Sequence, residues 1–191
     1  INDTSINVIR EIGTKNSWEE RKSFVLPLQF SSIAEIQAQG KSLGIIKPKN
    51  IEKYFSKKTD REWSPKQKAV QDQGDLFEAS VELEKIPYQF GYKFTEEDGG
   101  KHSYTISDWE ISQLYRGCRN RSKSVTLEER ENEAITQVKQ KLEDEFLSKK
   151  DLYFIVGNLK NHCKVFMIIG IFYPPKIAQE SEFQTINLFD F

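Results

Sequence analysis

The sequence predicts an α+β fold: a mainly antiparallel sheet built from two hairpins and covered by a long amphipathic helix. Three observations carry this expectation. Tyr88, Phe90, Tyr92 and Phe94 fall on alternate positions, Glu97-Asp98-Gly99-Gly100 supplies a turn signal, and His102, Tyr104 and Ile106 continue beyond it. That is the pattern of a hairpin with one aromatic face. Leu152 to Val156 and Val165 to Tyr173 form a second pair of short apolar runs, too apolar to face water on either side and therefore expected at the centre of the sheet. Thr126 with Glu129 makes a capping box ahead of Leu127, Ala134, Ile135, Val138, Leu142 and Phe146, an apolar stripe along a helix that reaches about Leu147.

The other elements follow from local signals. Ile6, Val8 and Ile12 alternate, which predicts a first strand over 5–12. Ser17 with Glu20 is a capping box for a helix to about Val25, and Pro27 stops it. Ser31 or Ser32 caps a second short helix through Gln39, with Gly40 as its stop. Leu43 to Ile46 reads as a short buried strand closed by Pro48. Residues 47–80 look irregular and lysine-rich, with Ser64-Pro65 opening a short helix and 71–75 an exposed loop. Ser107 with Glu110 predicts a helix starting at Asp108, in which Ile111, Leu114, Tyr115 and Cys118 share one face and which Gly117 to Ser124 breaks.

Length and composition set outer limits. The 191 residues suit a single domain over 1–176 followed by a polar tail over 177–191. A chain of this length buries enough surface to fold without disulfides or metal. Twenty-eight basic residues oppose twenty-nine acidic ones, so nucleic-acid binding would need a local patch. Cys118 and Cys163 are far apart in sequence and make no disulfide framework, which favours reduced thiols and a cytoplasmic protein. No apolar run is long enough for a membrane helix, no signal peptide is visible, and no membrane partner is implied. The polar opening Asn2-Asp3-Thr4-Ser5, preceded by Ile1, suggests a fragment of a longer protein.

Four segments resemble a known family when taken together: Gly13-Thr14-Lys15-Asn16-Ser17-Trp18-Glu19-Glu20-Arg21-Lys22, Arg61-Glu62-Trp63-Ser64-Pro65-Lys66-Gln67, Ile106-Ser107-Asp108-Trp109-Glu110 and Asp151-Leu152-Tyr153-Phe154-Ile155-Val156-Gly157. The family consists of uncharacterised prokaryotic proteins of somewhat greater length. The resemblance runs from about residue 5 to residue 176. It implies a prokaryotic cytoplasmic protein, with this chain matching the C-terminal part of members that carry a further β-rich N-terminal segment. It implies no activity. Relatives with cysteines where this chain has Glu96-Glu97-Asp98 imply a zinc site that this chain has lost.

Catalytic constellations are sparse. Asp108, Glu110 and His102 would be the acids and imidazole of a metal-dependent nuclease. Positions two apart on a helix do not share a face, however, and Glu110 already serves the capping box. His162 and Cys163 are adjacent, so their side chains diverge on a strand, and Cys118 continues an apolar stripe; neither supports zinc or a nucleophile pair. Glu20-Arg21-Lys22 carries an E-x-K triplet, but the capping box puts it on a helix. With no glycine-rich phosphate loop and no serine-nucleophile motif, no cofactor is implied.

Binding features are stronger. Arg116, Arg119, Arg121 and Lys123 cluster after one helix, and Lys57 and Lys58 lie in the basic stretch 47–68. Such groups would contact phosphates, with Tyr88, Phe90, Tyr92 and Phe94 stacking bases if they faced solvent rather than forming the core. Gln73-Gly74-Asp75-Leu76-Phe77 matches the Q-x-x-L-F peptide that docks on the bacterial sliding clamp, and Leu188 and Phe189 lie in a looser copy. The favoured reading is a non-enzymatic binding or adaptor module of a prokaryotic nucleic-acid-related or defence-type system. A regulatory subunit that binds a protein through Gln73, Leu76, Phe77, Leu188 and Phe189, and the nuclease, remain the alternatives.

Overall fold

A computed structural model describes residues 12, 18–65, 84–159 and 162–176. The expected strand at 5–12, Ser17 of the first capping box, the clamp-like peptide and the tail lie outside the described residues.

The fold is mixed α+β with two sheets. The first sheet has the order β1-β2-β6-β7, from β1 (Gln29–Phe30), β2 (Leu43–Ile46), β6 (Tyr153–Leu159) and β7 (His162–Phe172). Its β1–β2 pair is parallel and its other pairs are antiparallel. The second sheet has the order β3-β4-β5, from β3 (Asn50–Lys58), β4 (Tyr88–Thr95) and β5 (Lys101–Thr105), and is antiparallel throughout. Among the described residues, a parallel bridge between Ile106 and Ile168 links the two sheets. The described α-helices are α1 (Trp18–Val25), α2 (Ile33–Ala38), α3 (Trp109–Arg121), α4 (Leu127–Lys139) and α5 (Phe146–Lys149), the last two joined by a π-helical segment over Gln140–Glu145.

Several expectations change. The two expected hairpins do not share one sheet; β4–β5 and β6–β7 fall in different sheets. The stretch read as irregular holds the nine-residue strand β3. A bulge between Ile51 and Lys53 slips its register, and one side of the strand is lysine-rich, so the period of two is hidden in the sequence. The cap of α3 is Asp108, whose carboxylate accepts from the Glu110 amide, and not Ser107. That helix continues through Gly117 to Arg121, because packing on its buried Ile111 and Tyr115 outweighs the cost of one glycine. Leu127, placed by its spacing on the buried stripe, is 52% exposed. Ser32 caps α2, and Gly40 follows with φ of 65° in the left-handed region that glycine adopts without strain. Thr126 and Glu129 form the reciprocal capping box of α4.

The core lies where the inner faces of both sheets meet the helices. Phe90, Tyr92 and Phe94 are buried and Tyr88 is half-buried, so the alternating aromatics are core and not an exposed stacking platform. Tyr92 stacks on Phe154 of the other sheet at a centroid distance of 5.4 Å, and Phe94 meets the same ring edge-on at 5.1 Å. Helices α2 to α5 and the π segment close the core with Ile36, Tyr115, Val138, Leu142 and Phe146. The π segment changes the backbone pairing, and the Tyr92 hydroxyl donates to the Leu142 carbonyl at 2.6 Å.

Among the described residues two carboxylates are buried, and each is matched by donors. Glu96, in the β4–β5 turn, accepts from the Ile33 amide at the start of α2 (2.9 Å) and pairs with His102 (2.8 Å). Glu131 on α4 accepts both guanidinium nitrogens of Arg61 at 2.6 Å. An unmatched buried carboxylate would cost several kcal/mol. These two instead tie loops to the core.

Two outcomes follow from this packing. Tyr92→Phe keeps the ring and removes the bond to Leu142, and should lower unfolding free energy by about 1 kcal/mol in denaturant titrations. Burial pushes the Tyr54 and Tyr104 phenols up to about 12 and raises Tyr92 and Tyr115 as well. Raised folded-state values mean that their contribution is complete below the unfolded value of about 10 and is lost as pH climbs above it. Circular dichroism against pH should therefore show unfolding coupled to tyrosinate absorbance above about pH 10.

Candidate nucleic-acid interface

The three strands of the second sheet carry Lys53, Lys57, Lys58, Lys93 and Lys101 against a single carboxylate, Glu52. This local excess arises in a chain whose total charge is −1. Register decides which of the lysines act together. Residues directly opposite in an antiparallel pair share a face, as do residues two apart along a strand. Lys53 lies opposite Lys93, which lies opposite Ser103. Phe55 lies opposite Gly91, which lies opposite Thr105. Lys57 lies opposite Gln89, and Thr95 lies opposite Lys101.

Lys53, Lys57, Lys93 and Lys101 therefore point out from one face, together with Phe55, Gln89 and Ser103. The opposite face of the same strands supplies Tyr54, Phe90, Tyr92 and Phe94 to the core. All four lysines are exposed. Among the described residues none of them has an ion-pair partner. Lys58, opposite Tyr88, has the parity of the inner face. Lys57 and Lys58, adjacent in sequence, are thus separated by the strand. Glu52 is held at one end of the face, where it accepts from the Thr95 hydroxyl at 3.4 Å.

The arginine cluster plays a different part. Arg119 is only 14% exposed and makes a bidentate pair with Glu84, while Arg116 donates to the Glu84 carbonyl at 2.6 Å. Hydrogen bonding from Arg119 holds the Glu84 carboxyl below the usual carboxylate range. These arginines fasten the chain around Glu84 to α3 and are not displayed for a ligand. Arg121 contacts the Cys118 sulfur at 3.6 Å, and Lys123 is exposed beyond the helix.

The nuclease residues are occupied locally. Asp108 caps α3, Glu110 lies exposed in its first turn, and His102 is paired with Glu96. Among the described residues no three carboxylate, imidazole or thiol groups converge to hold a metal ion. Glu20, Arg21 and Lys22 lie on α1. Cys118 and Cys163 are not joined in a disulfide. Gln73, Leu76, Phe77, Leu188 and Phe189 lie outside the described residues. No described helix is long and apolar enough to cross a membrane.

Sequence reasoning placed Lys57 in the binding set and did not foresee that Lys53, Lys93 and Lys101 share its face. The available signal was the phase of β4: Gln89 and Lys93 occupy the alternate positions between the aromatics. Once those aromatics are core, the lysine must face water.

Lys53 and Lys93 are like charges directly opposite each other, with β-carbons about 5 Å apart, an arrangement that costs stability. Lys93→Glu should therefore stabilise the fold by roughly 0.2–1 kcal/mol, read as a higher melting temperature at low salt, with the gain shrinking as salt is added.

No curated protein and no solved structure matches the chain. Residues 29–190 match the family described as Domain of unknown function (DUF8757), and the chain belongs to that family.

Proposed function

We propose that the outward face of the β3-β4-β5 sheet binds the phosphate backbone of nucleic acid, and that the domain works as a non-enzymatic binding or adaptor module. One observation carries the reading: four exposed lysines from three strands share one face, without an ion-pair partner among the described residues, two of them directly opposed. Like charges held together on a rigid sheet disfavour the free protein and favour a polyanionic ligand, which relieves the repulsion by neutralising both. The resemblance of the sequence to prokaryotic proteins suggests the setting, a nucleic-acid-related or defence-type system.

A second reading rests on a separate surface. Leu43, opposite Gly157, and Ile169, whose side chain lies over that glycine, are 54% and 40% exposed on the outer face of the first sheet. Leu28 and Val165 are exposed as well. Exposed apolar groups of this kind suit a protein-binding regulatory subunit.

Fluorescence anisotropy with labelled oligonucleotides across a salt series separates the two. Four phosphate contacts on a single strand should give a log–log slope of roughly −2.8. Each of Lys53→Gln, Lys57→Gln, Lys93→Gln and Lys101→Gln should flatten that slope by roughly 0.7, while Lys123→Gln should leave it unchanged. Absence of binding at low salt, or a slope indifferent to all four changes, would overturn the nucleic-acid reading and leave the protein-binding one.

A further inference from the structure

Phe55 sits in the middle of the lysine face. It is two residues from Lys53 and two from Lys57 on β3, about 7 Å along the strand in each direction. Across the sheet it lies opposite Gly91, itself opposite Thr105. A β-carbon at residue 91 would collide with the Phe55 ring and with the Tyr104 carbonyl, so glycine is what allows the ring to lie down over β4. The ring is half-buried, with its underside on the sheet and the remainder open. Among the described residues Phe55 takes no part in the aromatic pairs of the core, in contrast to Tyr54 beside it, which pairs with Phe90 and Tyr92.

We infer that the ligand of this face is single-stranded nucleic acid, with an unpaired base stacked on Phe55 and the flanking phosphates on Lys53, Lys57 and Lys93. The inference rests on the nucleic-acid reading above. In a duplex each base face is already covered by its neighbours, and a ring lying flat on a sheet has no way to reach between them. In a single strand the bases splay outward and stack on aromatic surfaces, and a ring with Lys53 and Lys93 toward one end and Lys57 toward the other is placed to receive one base while the backbone stays within reach of the ammonium groups. Stacking on an aromatic ring is tolerant of base identity, so the face should accept many sequences.

The test compares two strands of equal length and charge, one ordinary and one abasic, binding to the full chain and to Phe55→Leu. The ordinary strand should bind roughly tenfold more tightly than the abasic one. Phe55→Leu, which keeps an apolar cover over Gly91, should abolish that preference while leaving abasic affinity and the salt slope unchanged. Phe55→Trp should retain the preference, and its added emission should be quenched by the ordinary strand alone. Equal affinity for both strands in the native chain would overturn the stacking inference and leave the lysine reading intact. Tighter binding of a duplex than of either strand would overturn it in the same way. Failure of both strands to bind would remove the underlying reading as well.

Discussion

Phe154 receives Tyr92 face to face and Phe94 edge to face, so that one ring on β6 joins the inner faces of two sheets that are also linked by the Ile106–Ile168 bridge. Aromatic contacts of this size bury large apolar areas and prefer these offset and edge-on geometries. The phase of β4 is bound to this contact. Tyr92 and Phe94 must point inward, and therefore Lys93 must point outward. A slip of one residue would expose three aromatic rings and bury a lysine, an exchange far too costly to be populated. The basic face is in this sense a consequence of the aromatic core.

The two buried carboxylates extend the same logic to the loops. Glu96 joins the β4–β5 turn to the start of α2, and Glu131 joins α4 to Arg61 just beyond β3. Both lie at the borders of the three-stranded sheet. Buried ion pairs contribute little net stability against an apolar alternative, but a half-made one is severely destabilising. They therefore penalise arrangements in which the sheet is displaced from the helices, and they hold its outward face as a fixed surface. Arg119 with Glu84 has a related part on the far side of α3, which explains why a cluster of arginines that looks like a ligand site in the sequence is largely consumed within the fold.

A nearly neutral chain can still carry a strongly basic surface if its acidic residues are placed elsewhere. Here the acids gather on α4, with Glu128, Glu129, Glu131 and Glu133, and around the π segment. The β3-β4-β5 strands keep one carboxylate, and it lies at the end of the face. At physiological ionic strength the Debye length is about 8 Å, so a ligand on the sheet senses the lysines beneath it far more than the distant glutamates. Total charge is thus a poor guide to the local charge of this sheet.

The sequence by itself determined the elements whose signals are local. The Thr126–Glu129 capping box, Ser32 at the start of α2, Gly40 at its end and the alternation of Tyr88 to Phe94 each act within a few residues, and each is present in the structure. The strand β3 was hidden because a bulge breaks its period and because Phe55 adds an apolar residue to its outward face. The partition of strands into two sheets was decided only by tertiary packing, since which strand edges pair depends on where distant aromatic faces find each other. The same holds for the candidate site. Lys53, Phe55, Lys93 and Lys101 are spread over nearly fifty positions of the sequence, and only strand register brings them to one face.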